Sequence, residues 1–245
     1  FFVLGIAAFA TLRGITAVLR VATVDAVAID IPGGQDLPSL LAAATGMTRQ
    51  TLAGSVGVGL GGVLLAWALS RQEGRSADNL LGGLGLGAVV ALLWWVSGRL
   101  GHVAEDPNTL QEAFVATNSQ RMESLTFVAP MAYTIDWLIF FSDKSKLLTI
   151  AIVSTVGVVV GSWLYAIATR SFRWEGFRGV QDTANHLLGA VLMGIGGVTA
   201  MGCTIGQGLS GLSTLSLTSF VAVAAIIAGA VAGLRFQFWQ VERSA

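Results

Sequence analysis

The sequence predicts an all-α integral membrane protein, and three observations carry that prediction. Of its 245 residues, 54% are hydrophobic and only 11% are charged, whereas a soluble domain carries about 25% charged residues. The mean hydropathy is +0.73. Several apolar runs approach the ~20 residues that a helix needs to cross the hydrocarbon core. With 31 glycines but four prolines and no collagen period, a fibrous chain is excluded. We expect a polytopic helical bundle in contact with lipid.

The apolar runs define the expected elements in order. The first run, 1–19, carries Arg13 near its middle, and a mixed stretch with a short apolar piece at 40–47 follows it. Tryptophans at the ends of two later runs fit anchoring at the lipid–water interface, and the aromatic and basic segment 170–182 fits the headgroup region. Four runs are long enough to be complete spans: 51–69, 80–96, 147–169 and 220–238.

Two regions predict short or broken helices. Residues 125–141 are apolar but contain Pro130 and Asp136. Residues 187–201 form a run too short for a comfortable crossing, and a glycine-rich polar stretch, 202–208, comes next. Non-helical backbone at membrane depth is tolerated only where it is buried in protein or lines a cavity. We therefore expect two re-entrant half-helices, over 187–201 and 209–219, joined by a loop near the bilayer midplane.

Charged residues inside apolar runs are costly and usually face a partner or a cavity. We favour a structural ion pair between Arg13 and Asp136, with charge placed near a transport path as the alternative. His186 precedes the short run 187–201. Capping or an interfacial position is the simpler interpretation, and a role in gating is the alternative because histidine changes charge near neutral pH.

Glycine motifs in the spans have a packing interpretation. Residues 57–62 match the dinucleotide-binding pattern G-x-G-x-x-G, but that site needs a preceding strand, and this match lies inside a span. Pairs of glycines four residues apart instead favour close helix packing: Gly57/Gly61, Gly83/Gly87, Gly157/Gly161 and Gly229/Gly233. The segment 208–211 resembles the G-x-S-G motif of intramembrane serine proteases, but no histidine follows Ser210 to serve as its base.

Composition excludes several function classes. The formal net charge is zero, so the basic face that nucleic-acid binding needs is missing and we expect no nucleic-acid partner. One cysteine, Cys203, rules out a disulfide framework and a four-cysteine metal site within this chain. We expect neither a metal nor an organic cofactor.

Cys203 stands where the chain passes between the two short apolar runs. A lone cysteine in such a protein is usually a small buried hydrophobe. Its neighbours favour a second interpretation, because glycines free successive backbone N–H groups to form an anion-binding concavity beside a helix N-terminus. A thiol there is a soft group suited to a sulfur atom. The candidate binding residues are Cys203, Gly202, Thr204, Gly206, Gln207 and Gly208, and we expect positive φ at Gly206 and Gly208.

Residues 196–213, GGVTAMGCTIGQGLSGLS, closely resemble the signature of the YeeE/YedE sulfur-transport family, which includes thiosulfate transporters. Residues 118–130, NSQRMESLTFVAP, together with 172–177 and 185–186, are also similar to it. The resemblance implies a bacterial inner-membrane protein of two pseudo-symmetric halves, in which cysteines mark a narrow thiosulfate path. It adds His186, Arg121 and Ser124 as possible pathway or gating residues. Family members usually carry a second Gly-Cys motif upstream of the position that matches Phe1, so we expect 1–245 to be one transport domain truncated at its N-terminus.

Two functions remain open from the sequence. The first is transport of thiosulfate or a related sulfur anion, passed by Cys203 and backbone amides without covalent change. The second is a membrane sulfurtransferase, in which a Cys203 persulfide hands sulfur to a cytoplasmic carrier or a rhodanese. The second requires a thiolate, yet no Lys, Arg or His lies within eight residues of Cys203. We therefore favour a transporter over an enzyme.

Overall fold

A computed structural model of the chain describes residues 1–27, 31, 34–106 and 110–244. Strands in this part of the chain are confined to one antiparallel hairpin, β1 (His102–Val103) with β2 (Ala113–Phe114), so the all-α prediction is confirmed. Short irregular helices follow two of the long ones: a 3₁₀ turn at Glu73–Arg75 and a π-helical turn at Val96–Leu100. The α-helices are α1 (Phe2–Arg13), α2 (Ile15–Thr23), α3 (Leu37–Thr45), α4 (Arg49–Ser70), α5 (Ala77–Trp95), α6 (Val128–Ile139), α7 (Ile150–Ala168), α8 (Val180–Thr199) and α9 (Leu217–Ser244).

Four helical segments of the described chain are long and apolar enough to cross a membrane. They are Arg49–Ser70, Ala77–Leu100, Ile150–Ala168 and Leu217–Arg243. Each contains one of the four complete spans that the sequence predicts, apart from a few terminal residues. Apolar side chains along them are largely exposed to the surroundings, as lipid-facing surfaces require. The bent pair α1–α2 would make a fifth span.

The bend between α1 and α2 measures 54° and lies at Gly14. A Cβ atom at this position would lie 2.8 Å from Cα and 2.9 Å from the carbonyl oxygen of Ala10. Only glycine therefore fits. The bend leaves the carbonyl of Thr11 without its helical partner, and the Arg20 guanidinium donates to it at 3.0 Å. Arg13, the last residue of α1, makes no hydrogen bond to this carbonyl oxygen.

The chain forms two compact units. The first unit comprises Phe1–Ala28 and Gly85–Gly206. Its α1 packs against both α6 and α8, around a buried cluster of small and branched apolar residues. Leu4, Phe9, Leu12 and Cys203 pack against that cluster from outside, and its members are Ala8, Val128, Ala132 and Val198.

The second unit comprises Ile29–Leu84 and Gln207–Ala245. Within it, Asp36 caps α3 by accepting the backbone N–H of Ser39, and Arg49 at the start of α4 donates to the same carboxylate at 2.9 Å. The backbone beside this cap joins the start of α9, because Leu37 N–H donates to Leu215 O and Leu217 N–H donates to Gln35 O. The helix starts of α3 and α9 are thus tied by backbone hydrogen bonds.

The predicted ion pair between Arg13 and Asp136 is wrong. Asp136 is buried on α6 and accepts from Lys146 Nζ at 2.5 Å. Arg13 makes no hydrogen bond or ion pair with any described residue. The sequence suggested a broken helix here, yet α6 runs unbroken, because Pro130 falls in its first turn, where a missing N–H removes no helical bond.

The predicted glycine packing is also wrong for the four pairs in the long spans. A Cβ atom added at any of these eight glycines would meet no described atom within 4 Å. The glycines that pack closely lie elsewhere. At Gly194 on α8, a Cβ would lie 2.7 Å from Leu4 O and 3.0 Å from Ala8 N on α1.

Gly194→Val is expected to destabilise the protein by about 1–3 kcal/mol, because the added carbons overpack the α1–α8 contact. Gly189→Val on the same helix meets no neighbour within 4 Å and serves as the matched control. Thermal unfolding of the purified proteins in detergent checks this. Equal midpoints for the two variants would contradict the close approach of α1 and α8.

Candidate functional site

The backbone breaks immediately before Cys203. Helix α8 ends at Thr199, Met201 has a positive φ of 53°, and Gly202 N–H donates to Gly197 O at 2.9 Å. Helical structure resumes at 204 and continues to 213, with π-helical geometry over Gly206–Gly211. A break between two helices is confirmed, and it covers 200–203 rather than the predicted 202–208. The first helix is not the short half-helix that was predicted over 187–201, because α8 runs over Val180–Thr199 and has 20 residues. The second is short but lies at 204–213 rather than at 209–219.

The sulfur of Cys203 lies among backbone donors. The thiol is half-buried, and the backbone N–H groups of Phe127, Val128, Ile205 and Gly206 lie near enough to interact with it. All four belong to the first turn or the cap of a helix, where N–H groups have no intrahelical acceptor. Two helix N-termini, that of α6 and that of the helix over 204–213, therefore converge on one sulfur atom. Each brings a partial positive charge without a buried cation.

Residues 124–128 form the second wall of this site. Ser124 is buried, and its hydroxyl donates to Val90 O on α5 at 3.0 Å. This bond fixes the segment that leads into Phe127 and Val128. On the other side, a Cβ at Gly197 of α8 would lie 2.7–2.9 Å from the Val128 side chain, so glycine is needed where α8 approaches α6. Ser124 thus acts by positioning backbone that contacts the sulfur.

The expectation of positive φ at Gly206 and Gly208 is wrong. Both residues lie in the π-helical stretch, and the described glycines with positive φ are Gly34 and Gly46. Gly206 is required for another reason: a Cβ there would lie 2.6 Å from Thr126 Oγ1 and 3.2 Å from Thr126 Cβ. At Gly208 the nearest atom to such a Cβ would be in Val223 at 3.8 Å, an ordinary contact.

The remaining candidate residues differ in their burial and in their hydrogen-bond partners. Thr204 is exposed at the start of the helix after Cys203. Gln207 belongs to the second unit, is buried, and accepts from the Ser219 hydroxyl at 2.6 Å. Arg121 is exposed. His186 lies in the second turn of α8, 2.8 Å from Asp182 O, and ~20 Å of helix separates it from the end of α8.

Sequence reasoning found Cys203 and the N–H group of Gly206 but missed Phe127 and Val128 as part of the site. Their signal was Pro130, since proline in a helix commonly marks the first turn, and a helix start supplies free N–H groups. Among the described residues, no group of three or more His, Cys, Asp or Glu side chains is placed to hold a metal ion. Successive backbone N–H groups such as those around Cys203 are of the kind that bind anions in proteins.

Residues 2–232 match the model of the family described as Sulphur transport. The chain belongs to the sulphur transport family. It is also 31% identical, over 109 residues, to the thiosulfate transporter TsuA of Escherichia coli strain K12. That alignment covers 44% of this chain and 30% of the relative, so the chain spans less than a third of the relative's length. Family membership and the apolar helices identify this sulphur transport protein as a multi-pass membrane protein.

Proposed function

We propose that this protein transports thiosulfate across the membrane and that Cys203 contacts the anion at the narrowest part of the path. The observation that carries the proposal is the convergence of four backbone N–H groups on the Cys203 sulfur. These donors come from two helix N-termini, which attract anions through aligned peptide dipoles. The similarity to a thiosulfate transporter supports thiosulfate as the anion.

The passage needs no covalent step. The anion replaces the thiol as acceptor for some of the N–H groups, while the S–H group donates a weak hydrogen bond to its terminal sulfur. Partial charges bind more weakly than a buried lysine or arginine would, and weak binding allows release on the far side. Ser124 holds Phe127 and Val128 in place for this contact. Arg121 and His186 remain candidate pathway or gating residues, at positions away from the sulfur.

The bacterial inner membrane is the proposed location, with a cytoplasmic sulfur carrier or rhodanese as receiver of the transported sulfur.

Because thiosulfate carries a soft terminal sulfur and sulfate has only hard oxygens, uptake of labelled thiosulfate is expected to resist competition by sulfate. Uptake should be measured in an uptake-deficient host that expresses the full-length protein. Equal inhibition by unlabelled sulfate and unlabelled thiosulfate would contradict a role for the thiol in selection.

A sulfurtransferase is the alternative function, because the same N–H groups would stabilise a thiolate. In that reaction the Cys203 thiolate attacks the outer sulfur of thiosulfate, the S–S bond breaks, and sulfite leaves with the bonding electron pair. The enzyme then carries a persulfide that a carrier thiol accepts. Mass spectrometry of the Cys203 peptide after exposure to thiosulfate separates the two: a mass gain of one sulfur atom supports the transferase, and an unmodified peptide supports transport.

A further inference from the structure

A second polar site lies within the first unit, on a different face of α6 from the Cys203 wall. It is a cavity of about 250 Å³ between the end of α1, the loop at 116–120, α6 and the start of α7. Pockets for drug-sized ligands hold about 300–1,000 Å³, so this one suits a small ion. Its charged and polar lining includes Arg13, Gln120, Tyr133, Asp136, Lys146 and Thr149.

The charges in this cavity do not cancel. Lys146 and Asp136 neutralise each other through their 2.5 Å ion pair. Arg13 is left over, since its guanidinium makes no hydrogen bond or ion pair with any residue of the described chain. Glu123 also acts electrostatically on Tyr133, but it does not line the cavity. Its Oε1 accepts the backbone N–H groups of Asn118 and Ser119, and its Oε2 is buried without a hydrogen-bond partner among the described residues. The lining therefore carries one net positive charge.

Hydrogen-bond donors are also in excess. Within the described residues, neither the Tyr133 hydroxyl nor the Gln120 amide has a hydrogen-bond partner, and both line the same cavity as Arg13. Lys146 Nζ uses one of its protons on Asp136 and has two more. Tyr133 is half-buried, whereas Arg13 and Gln120 are exposed, so these donors are open to a ligand that enters from outside. One positive charge with spare hydrogen-bond donors suits an acceptor-rich anion.

We propose that this cavity binds a small, dissolved tetrahedral oxyanion, held by Arg13 with help from Tyr133 and Gln120. Naming the anion as thiosulfate rests on the proposed function, whereas oxyanion binding itself does not. The cavity and Cys203 belong to the same compact unit, and Leu12, the neighbour of Arg13, packs against the apolar cluster that Cys203 also contacts. The cavity would thus concentrate the anion beside the path.

The test measures equilibrium binding of radiolabelled thiosulfate to the full-length protein, purified in detergent and carrying Cys203→Ala so that the sulfur site does not contribute. Arg13→Gln is expected to weaken binding about tenfold or more, since a hydrogen bond to a charged group is worth at least that factor. Tyr133→Phe should weaken it less, and Arg13→Lys should retain part of it. Lys144→Gln is the control, because Lys144 is an exposed cation of the neighbouring loop that does not line the cavity.

Unlabelled sulfate and phosphate should displace the radiolabelled thiosulfate, because the proposed site recognises oxygen acceptors and negative charge. Binding by Arg13→Gln equal to that of Lys144→Gln would overturn the proposal. A phospholipid phosphate offers the same chemistry, so lipid phosphorus that copurifies with each variant is measured too. If Arg13→Gln loses bound phospholipid but binds thiosulfate normally, the cavity holds a lipid headgroup and the proposal is wrong. Failure of the proposed transport function would show in a different assay, as normal thiosulfate uptake by Cys203→Ala in cells, because the binding experiment does not measure uptake.

Discussion

Cys203→Ala is expected to reduce thiosulfate uptake about tenfold or more while the amount of protein in the membrane stays near the parent level. Losing a contact worth ~1.4 kcal/mol at the barrier slows passage tenfold, and this substitution removes the one side chain on which four N–H groups converge. The stability cost should be near the ~1 kcal/mol that is typical of single substitutions, because the thiol is only half-buried. Uptake of labelled thiosulfate, normalised to membrane protein, gives the result.

The Cys203→Ser variant tests whether the soft sulfur atom of the thiol matters beyond its capacity to form hydrogen bonds. Serine keeps a donor and an acceptor at the same place, but its oxygen is hard and interacts poorly with a terminal sulfur. We expect Cys203→Ser to recover little of the lost uptake. Uptake by the alanine variant at the parent rate would show that the anion does not need Cys203.

Gly206→Val is expected to impair uptake severely with Cys203 intact. A Cβ at this position would lie 2.6 Å from Thr126 Oγ1, so the helix start at 204–206 has to move away from residues 126–128. Overpacking of this kind costs about 1–3 kcal/mol. The shift also withdraws the Gly206 N–H group from the sulfur, which breaks the convergence of the two helix N-termini. Uptake per protein molecule in the membrane is the relevant measure.

Two comparisons make the Gly206 result specific. Gly208→Ala lies two residues away in the same π-helical stretch, meets its nearest neighbour at 3.8 Å, and should transport normally. Thr126→Ala removes the oxygen that opposes a Cβ at Gly206, so it should partly restore uptake when combined with Gly206→Ala. If Gly206→Ala and Gly208→Ala reduce specific uptake equally, the contact with Thr126 does not hold the site together.

The sequence was sufficient for the spans because their length and composition are fixed by the bilayer. Runs such as 51–69 and 147–169 have to be helical and apolar, and the structure extends or trims each by a few residues. The break before Cys203 was predictable because the apolar run 187–201 is short and a glycine-rich polar stretch follows it, although α8 itself extends to 20 residues. Its position shifted because 204–208, although rich in glycine, continues as a π-helical turn.

Contacts between distant segments were not predictable from one sequence. On sequence grounds Asp136 could pair with Arg13 or with Lys146, and in the structure it pairs with Lys146. Composition alone carries no information about which of the two cations approaches the carboxylate. Glycine spacing failed in the same way. A Cβ atom added at the pairs in the long spans would meet no atom of another described segment within 4 Å, whereas at Gly194, Gly197 and Gly206 it would meet other segments closely. The N–H groups of Phe127 and Val128 were not predicted, because every non-proline residue has a backbone N–H group and the residue type does not show which of them face a site.

The central claim is that the transported anion touches the Cys203 sulfur. The most direct measurement is the rate at which a small maleimide labels Cys203, followed by mass spectrometry of its peptide, with and without thiosulfate. A soluble peptide with one cysteine in the same mixture corrects for any consumption of the reagent. We predict that thiosulfate, at concentrations that saturate uptake, slows labelling of Cys203 several-fold relative to that peptide and that sulfate slows it less. An unchanged labelling rate at saturating thiosulfate would contradict the account.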